Sequence, residues 1–164
     1  MDSIKFGLPP IARPDVRLFI LGSLPGDASL AARRYYAHPT NQFWRLVGQV
    51  IGEPLHGIDY DQRLRRLAER GIGLWDVIAS ASRRGSLDQA IRAPGHNALD
   101  RLRGDFPHVR AVAFNGAAAS AAGRKLLHAA ADLALIDLPS SSAANTRPLA
   151  EKAEAWSVLG KYLR

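Results

Sequence analysis

The sequence predicts an α/β fold with three α/β/α layers around a short, mainly parallel four-stranded central sheet. Three observations predict it. Four short apolar runs each exit into glycine, proline or small polar residues, and amphipathic stretches of helical period separate them. No repeat or flexible linker divides the chain, so residues 1–164 are expected to form one domain. Strands alternating with helices bury a parallel sheet on both faces.

Pro9, Pro10 and Pro14 make residues 1–14 an expected extended arm. Residues 16–21 are an apolar run that stops at Gly22, as a buried strand entering a loop would. Thr40 and Asn41 are candidate N-caps of a helix carrying Phe43, Trp44, Val47, Val50 and Ile51 on one face. A second helix is expected over 60–70, closed by Gly71, and a second strand over 72–79. A loop with Arg83, Arg84 and Gly85 precedes a short helix over 98–103. The third strand is expected over 109–114, an Ala-rich helix over 117–130 and the fourth strand over 133–138. Pro148 opens the last helix, with Trp156, Leu159 and Leu163 facing inward.

At 164 residues, 47% hydrophobic and 23% charged, the chain has the composition of an ordinary globular domain. No stretch approaches the roughly 20 apolar residues of a membrane span, and the N-terminus lacks a signal pattern. The absence of cysteine excludes disulfides, thiolate metal sites, Cys-ligated clusters and a Cys nucleophile. A cytoplasmic protein is expected. Twenty-two basic residues against fifteen acidic ones give +7, a balance suited to a polyanion. Scattered arginines make up most of that charge, which a compositional bias alone would also produce.

In a sheet of this kind the ligand site lies beyond the carboxyl ends of the strands. Those ends are Gly22-Ser23-Leu24-Pro25-Gly26, the stretch from Asp76, Asn115-Gly116, and Leu138-Pro139 followed by Ser140, Ser141 and Ser142. The glycine loop has neither dinucleotide-binding nor Walker spacing, and by itself reads as a turn. The next segment, Tyr35-Tyr36-Ala37-His38-Pro39-Thr40-Asn41-Gln42-Phe43-Trp44, adds specificity. Together, G-S-L-P-G-D and Y-Y-A-H-P-T-N-Q-F-W resemble the uracil-DNA glycosylase superfamily. The string is most similar to its hypoxanthine-DNA (deoxyinosine) and mismatch-specific branches.

That resemblance implies a monofunctional DNA glycosylase of base excision repair acting on a flipped deaminated base, hypoxanthine first, with damaged DNA as partner. It implies no cofactor, no metal and no obligate protein partner, and a monomer is expected. A uracil or G·T/G·U mismatch enzyme, or a catalytically silent DNA-binding relative, are the alternatives. Tyr36 matches the family's base-stacking aromatic, with Tyr35 the alternative. Gly22, Ser23, Leu24, Pro25 and Gly26 are expected to shape the base pocket through backbone amides.

Here the chain departs from its relatives. Many carry an Asp or Asn two residues after the first glycine, where this sequence has Leu24. Leu138 likewise replaces the polar residue that usually precedes Pro-Ser. Three candidates remain for the catalytic role: Asn41, which would position water; Asp27, whose carboxylate would face a developing cation; and Asp76, at the end of the second strand. Asn41 and Asp27 also read as helix caps. Asp76 matches the strand position of a base-reading asparagine, and an ionised Asp there would accept the N1–H of hypoxanthine. His38 and Asn115 are expected to line the site, and both also read as turn residues. Ser140, Ser141, Ser142, Asn145 and Arg147 form the candidate DNA-binding loop, a phosphate clamp beside a helix start. No lysine lies in these motifs, which argues against Schiff-base chemistry.

Overall fold

The computed structural model describes residues 3–130 and 132–164. Four parallel strands form the central sheet: β2 (Leu18–Gly22), β3 (Ile72–Asp76), β6 (Ala111–Asn115) and β7 (Ala134–Leu138), in the order β3-β2-β6-β7. β2 and β6 occupy the middle and are buried at every residue. Their alternating side chains feed two cores. Leu18, Ile20, Ala111 and Ala113 pack on one face with Phe43, Trp44, Leu46 and Trp156. Phe19, Leu21, Val112 and Phe114 pack on the other with Leu99, Leu102 and Ala119. The first face is covered by α2 (Phe43–Ile51), α3 (Tyr60–Glu69) and α6 (Leu149–Trp156). The second is covered by α4 (Leu102–Asp105) and α5 (Ala117–Leu126).

Gly123 shows why a poor helix former sits within the Ala-rich α5. A Cβ there would lie 2.2 Å from the Phe114 ring, so glycine lets the helix close on β6.

Where the chain departs from the expected elements, a second sheet is the reason. β1 (Ile4–Phe6), β4 (Ile78–Ser82) and β5 (Arg92–His96) form an antiparallel sheet of order β1-β4-β5. The expected arm over 1–14 is therefore partly strand, and Ile11 bridges Leu74 as well; Met1 and Asp2 of that arm lie outside the described residues. The single strand expected over 72–79 is two strands in different sheets. β2 ends at Gly22 opposite Asp76, and beyond buried Val77 the chain exchanges its parallel partner for β1 and β5. The short helix expected over 98–103 is a 3₁₀ turn running into α4, and α5 stops four residues before 130. The last helix passes into a 3₁₀ segment from Ser157 to Tyr162, with Trp156 and Leu159 buried and Leu163 partly so. One short helix, α1 (Asp27–Ala32), follows the glycine loop.

Candidate active site

The strand ends open into one cleft of about 670 Å³. The glycine loop 22–26, Tyr36, His38, Asn41, Asp76, Asn115 and the loop 140–145 all line it, together with residues 86–89. Ser86, Leu87, Asp88 and Gln89 escaped the sequence reading because the turn between β4 and β5 carries no periodic signal.

Gly22 forms the floor. A Cβ at this position would lie 2.6 Å from Asp76 Oδ1 and 3.1 Å from the Tyr36 hydroxyl, so only glycine leaves the space open. The loop that follows turns its carbonyls away from the cleft. Gly22 and Ser23 accept from Val77 and Ile78 N–H, while Leu24 and Pro25 accept from Arg83. The Ser23, Leu24 and Gly26 N–H groups donate to no described residue, and they are what the loop can offer a ligand. The Leu24 side chain packs with Ile78 and Ala81, anchoring the loop to the second sheet. Arg83 is the residue the sequence reading left unassigned. Its buried guanidinium reaches Leu24 O, Pro25 O and Gly85 O, and so sets the loop's shape.

Tyr35 and Tyr36 separate cleanly. Tyr35 is a core residue whose hydroxyl donates to Leu8 and Pro9 carbonyls. Tyr36 adopts a left-handed φ of 53°, which a non-glycine residue holds at a cost of about 1–2 kcal/mol. Trp44 Nε1 donates to its carbonyl, and its ring stacks on Phe43 with centroids 3.8 Å apart and planes within 10°. Only the opposite face is left for a ligand. Its hydroxyl is buried beside the Asn115 side chain without a well-formed hydrogen bond, and burial pushes the phenol pKa up.

Asn41 is held by its carbonyl oxygen. Oδ1 accepts from Phe43 N–H and from Ser141 Oγ, so the amide both caps the entry to α2 and faces the fourth strand's loop. The helix begins at Phe43, two residues after Asn41 and three after Thr40; Gln42 precedes it directly. With both lone-pair directions of Oδ1 used, the Nδ2 amine is the part of Asn41 that remains to act, as a donor. Asn115 supports this arrangement from below. Its Nδ2 donates to Ser141 Oγ and its Oδ1 accepts from Ser141 N–H.

Asp76 ends β3 and is 3% exposed. Its Oδ2 is buried without a partner. Burial pushes its pKa up to about 7, the charge of Asp88 adds to this, and Arg83 opposes it. An ionised Asp76, as expected from the sequence, is thus disfavoured by its surroundings. Asp27 lies at the rim in the first turn of α1, with Gly26 in the cap position, and its carboxylate pairs with Lys5 at 2.7 Å. Asp88, which carries no motif signal, accepts from Ser23 Oγ at 2.5 Å on the facing wall. His38 is exposed, with Nδ1 bound by Thr40 in a local turn.

The loop 139–145 corrects one expectation. Ser141 is fully buried and cannot reach a phosphate, because its hydroxyl and amide are spent on Asn41 and Asn115. Ser140 and Ser142 are partly exposed, and their hydroxyls close local turns by accepting Ser142 and Ala144 N–H. Asn145 Oδ1 accepts from Arg147 N–H, and exposed Arg147 approaches Glu151. Beneath the loop, buried Lys152 donates to Gln42 Oε1, Ser142 O and Asn145 O. Trp156 Nε1 adds a bond to Pro139 O. On an amphipathic helix, Lys152 reads from sequence as solvated, which hid this brace. Leu138 points into the core. Among the described residues no group of His, Cys, Asp or Glu is arranged to hold a metal, and no helix is long and apolar enough to cross a membrane.

Comparison with known proteins matches this architecture. The model of the uracil DNA glycosylase superfamily fits residues 9–160. A hypoxanthine DNA glycosylase of Methanosarcina barkeri is 40% identical over 93% of this chain and 96% of its own. One from Methanosarcina acetivorans is 37% identical over 97% of this chain and 99% of its own. A solution NMR structure of a candidate uracil DNA glycosylase from Methanosarcina acetivorans superposes with a TM-score of 0.86 at 37% identity, covering 97% of this chain and 98% of that one. The chain belongs to the uracil DNA glycosylase superfamily.

Proposed function

We propose that this protein is a monofunctional DNA glycosylase that excises hypoxanthine from deoxyinosine-containing DNA, acting as a monomer. The observation that carries it is the convergence on one cleft of an open-faced tyrosine, a buried unpartnered carboxyl group and a braced asparagine amide. The two similar proteins named hypoxanthine DNA glycosylases support the choice of base.

A base can meet these groups only after its nucleotide leaves the stack. The flipped base stacks on the free face of Tyr36, and Asp76 together with the Leu24 and Gly26 amides reads its edge. The C1′–N9 bond then breaks heterolytically. Its electron pair leaves with the base, and C1′ becomes oxocarbenium-like. Asn41 Nδ2 holds the water whose oxygen adds to C1′; the proton that the water sheds passes through solvent to the departing base anion, which leaves neutral hypoxanthine and an abasic site. The carboxylate of Asp88 and the DNA phosphates offset the sugar's positive charge. Asp27, paired with Lys5, contributes less. No lysine lines the cleft, and Lys152 Nζ is committed to three acceptors, which supports hydrolysis over Schiff-base chemistry. Ser140, Ser142 and Asn145 on the cleft wall, with exposed Arg147 just beyond them, are the groups this reading assigns to the DNA backbone.

The experiment is excision from duplexes carrying single deoxyinosine, deoxyuridine or G·T lesions. Multiple turnover on deoxyinosine is expected, with abasic product. Efficient excision of uracil without excision of hypoxanthine would overturn the choice of base, and binding without turnover on any duplex would overturn the enzymatic reading.

A further inference from the structure

The floor of the cleft holds a carboxyl oxygen that the protein leaves unsatisfied. Asp76 Oδ2 is buried without a hydrogen-bond partner, and Asp76 Oδ1 and the Tyr36 hydroxyl, which the Asn115 side chain approaches, meet at the space Gly22 keeps open. An orphaned buried polar atom is uncommon in a folded protein and needs a physical account. Here the account is a missing ligand edge.

The protonation state of Asp76 decides which edge fits. The charged and titratable groups around it are Arg83 following β4, Asp88 in the 86–89 turn, and the phenols of Tyr35 and Tyr36 on the segment before α2. Arg83 is the one cation among them, and it spends its guanidinium on the Leu24, Pro25 and Gly85 carbonyls rather than on Asp76. A carboxylate at this place would be buried, unpaired and faced by a second carboxylate, an arrangement that costs stability without a partner cation.

We propose that Asp76 reads the base as a neutral carboxylic acid, its carbonyl accepting the ring N–H and its hydroxyl donating to the adjacent exocyclic oxygen. The inference rests on the glycosylase reading above and specifies the ligand: a base edge that presents an N–H beside a C=O. Hypoxanthine presents it at N1–H and O6. An ionised Asp76 would accept the N–H but set negative charge against O6. The acid makes two complementary bonds and satisfies the orphaned Oδ2. Because burial and Asp88 hold the carboxyl pKa up near 7, this reading device switches off as the solution turns alkaline.

The test compares pH profiles of single-turnover excision on a deoxyinosine duplex for the unaltered protein, Asp76→Asn and Asp76→Ala. An amide presents a donor and an acceptor in the same outline and does not ionise. The unaltered protein is expected to lose activity about tenfold per pH unit above the neutral range. Asp76→Asn is expected to keep at least a tenth of the neutral rate and to lack that decline, so that it overtakes the unaltered protein near pH 9. Asp76→Ala should be slower than Asp76→Asn at every pH. Titration of the base itself affects all three alike, so the difference between profiles isolates Asp76. A flat profile for the unaltered protein, or an Asp76→Asn variant that declines in parallel or falls to the Asp76→Ala rate while folded, would overturn the inference. If no protein excised hypoxanthine at any pH, the choice of base in the reading above would fail instead. The same profiles on deoxyuridine, whose base also carries an N–H beside a carbonyl, would then decide the role of Asp76.

Discussion

Ser141 Oγ donates a 2.8 Å hydrogen bond to Asn41 Oδ1, joining the loop after β7 to the entry of α2 across one hundred residues. Asn115 Nδ2 donates to the same Ser141 oxygen, so a directed chain of bonds fixes how the Asn41 amide faces the cleft. Removing Asn41 and removing its support should therefore differ in kind. Asn41→Ala is expected to lower the excision rate at least a hundredfold with DNA affinity within threefold, the range seen when one preorganised donor is lost. Ser141→Ala should slow excision about tenfold, because Asn41 keeps its bond from Phe43 N–H but loses one restraint. Single-turnover rates alongside binding to an abasic-analogue duplex check both.

Asp76 also writes a pH dependence into stability. Its carboxyl binds a proton more tightly folded, with a pKa near 7, than at the ordinary value of 3.8. Between these values the folded state holds a proton that the unfolded state has lost, so stability falls as pH rises through this window and levels off above it. Asp76→Asn removes the effect. Urea unfolding should find the variant more stable by a few kcal/mol at pH 8, on the order of 1.4 kcal/mol for each pH unit between the folded and unfolded pKa, with the gap shrinking toward pH 4.

Gly22→Ala places a methyl group against Asp76 Oδ1 and the Tyr36 hydroxyl. The expected result is an excision rate reduced at least tenfold and a stability loss of about 1–3 kcal/mol, the usual cost of overpacking. Unchanged excision would show that the base sits elsewhere in the cleft.

Arg83→Met keeps much of the buried volume but leaves Leu24, Pro25 and Gly85 carbonyls without their donor. Loss of about 3 kcal/mol in denaturant unfolding is expected, with excision lowered in protein that remains folded. Arg83→Lys should recover only part of either loss, since one ammonium cannot span three carbonyls as a guanidinium does.

The parallel sheet was legible because its strands are continuous apolar runs punctuated by Gly22, Asn115 and Pro139, and such runs carry their own signal. The second sheet was not. β5 reads Arg-Ala-Pro-Gly-His, has no alternation, and is held by pairing with β4 rather than by its own side chains. The glycine loop and the Tyr36–Asn41 segment stood out through their unusual spacing, so the lining of the cleft was visible in outline. The residues that shape it were hidden for one shared reason: Arg83, Lys152 and Ser141 are polar types normally found at the surface, and here each is buried by hydrogen bonds, Arg83 and Lys152 to backbone carbonyls and Ser141 to the Asn41 and Asn115 side chains. Sequence pattern reports where apolar groups go. It says little about which polar groups follow them inward.

The bracing of the 139–145 loop has a consequence for how the protein comes into being. Asn41 is synthesised early, while Ser141, Lys152 and Trp156, which fix its surroundings, come from the last quarter of the chain. Until β7 has docked and α6 has closed beneath the loop, Asn41 lacks its lateral restraint and the cleft lacks a wall. A partly made chain thus holds the Gly22 floor and Tyr36 without a working site. Completion of folding is what arms the protein, and no fragment ending before α6 would cut a base from DNA.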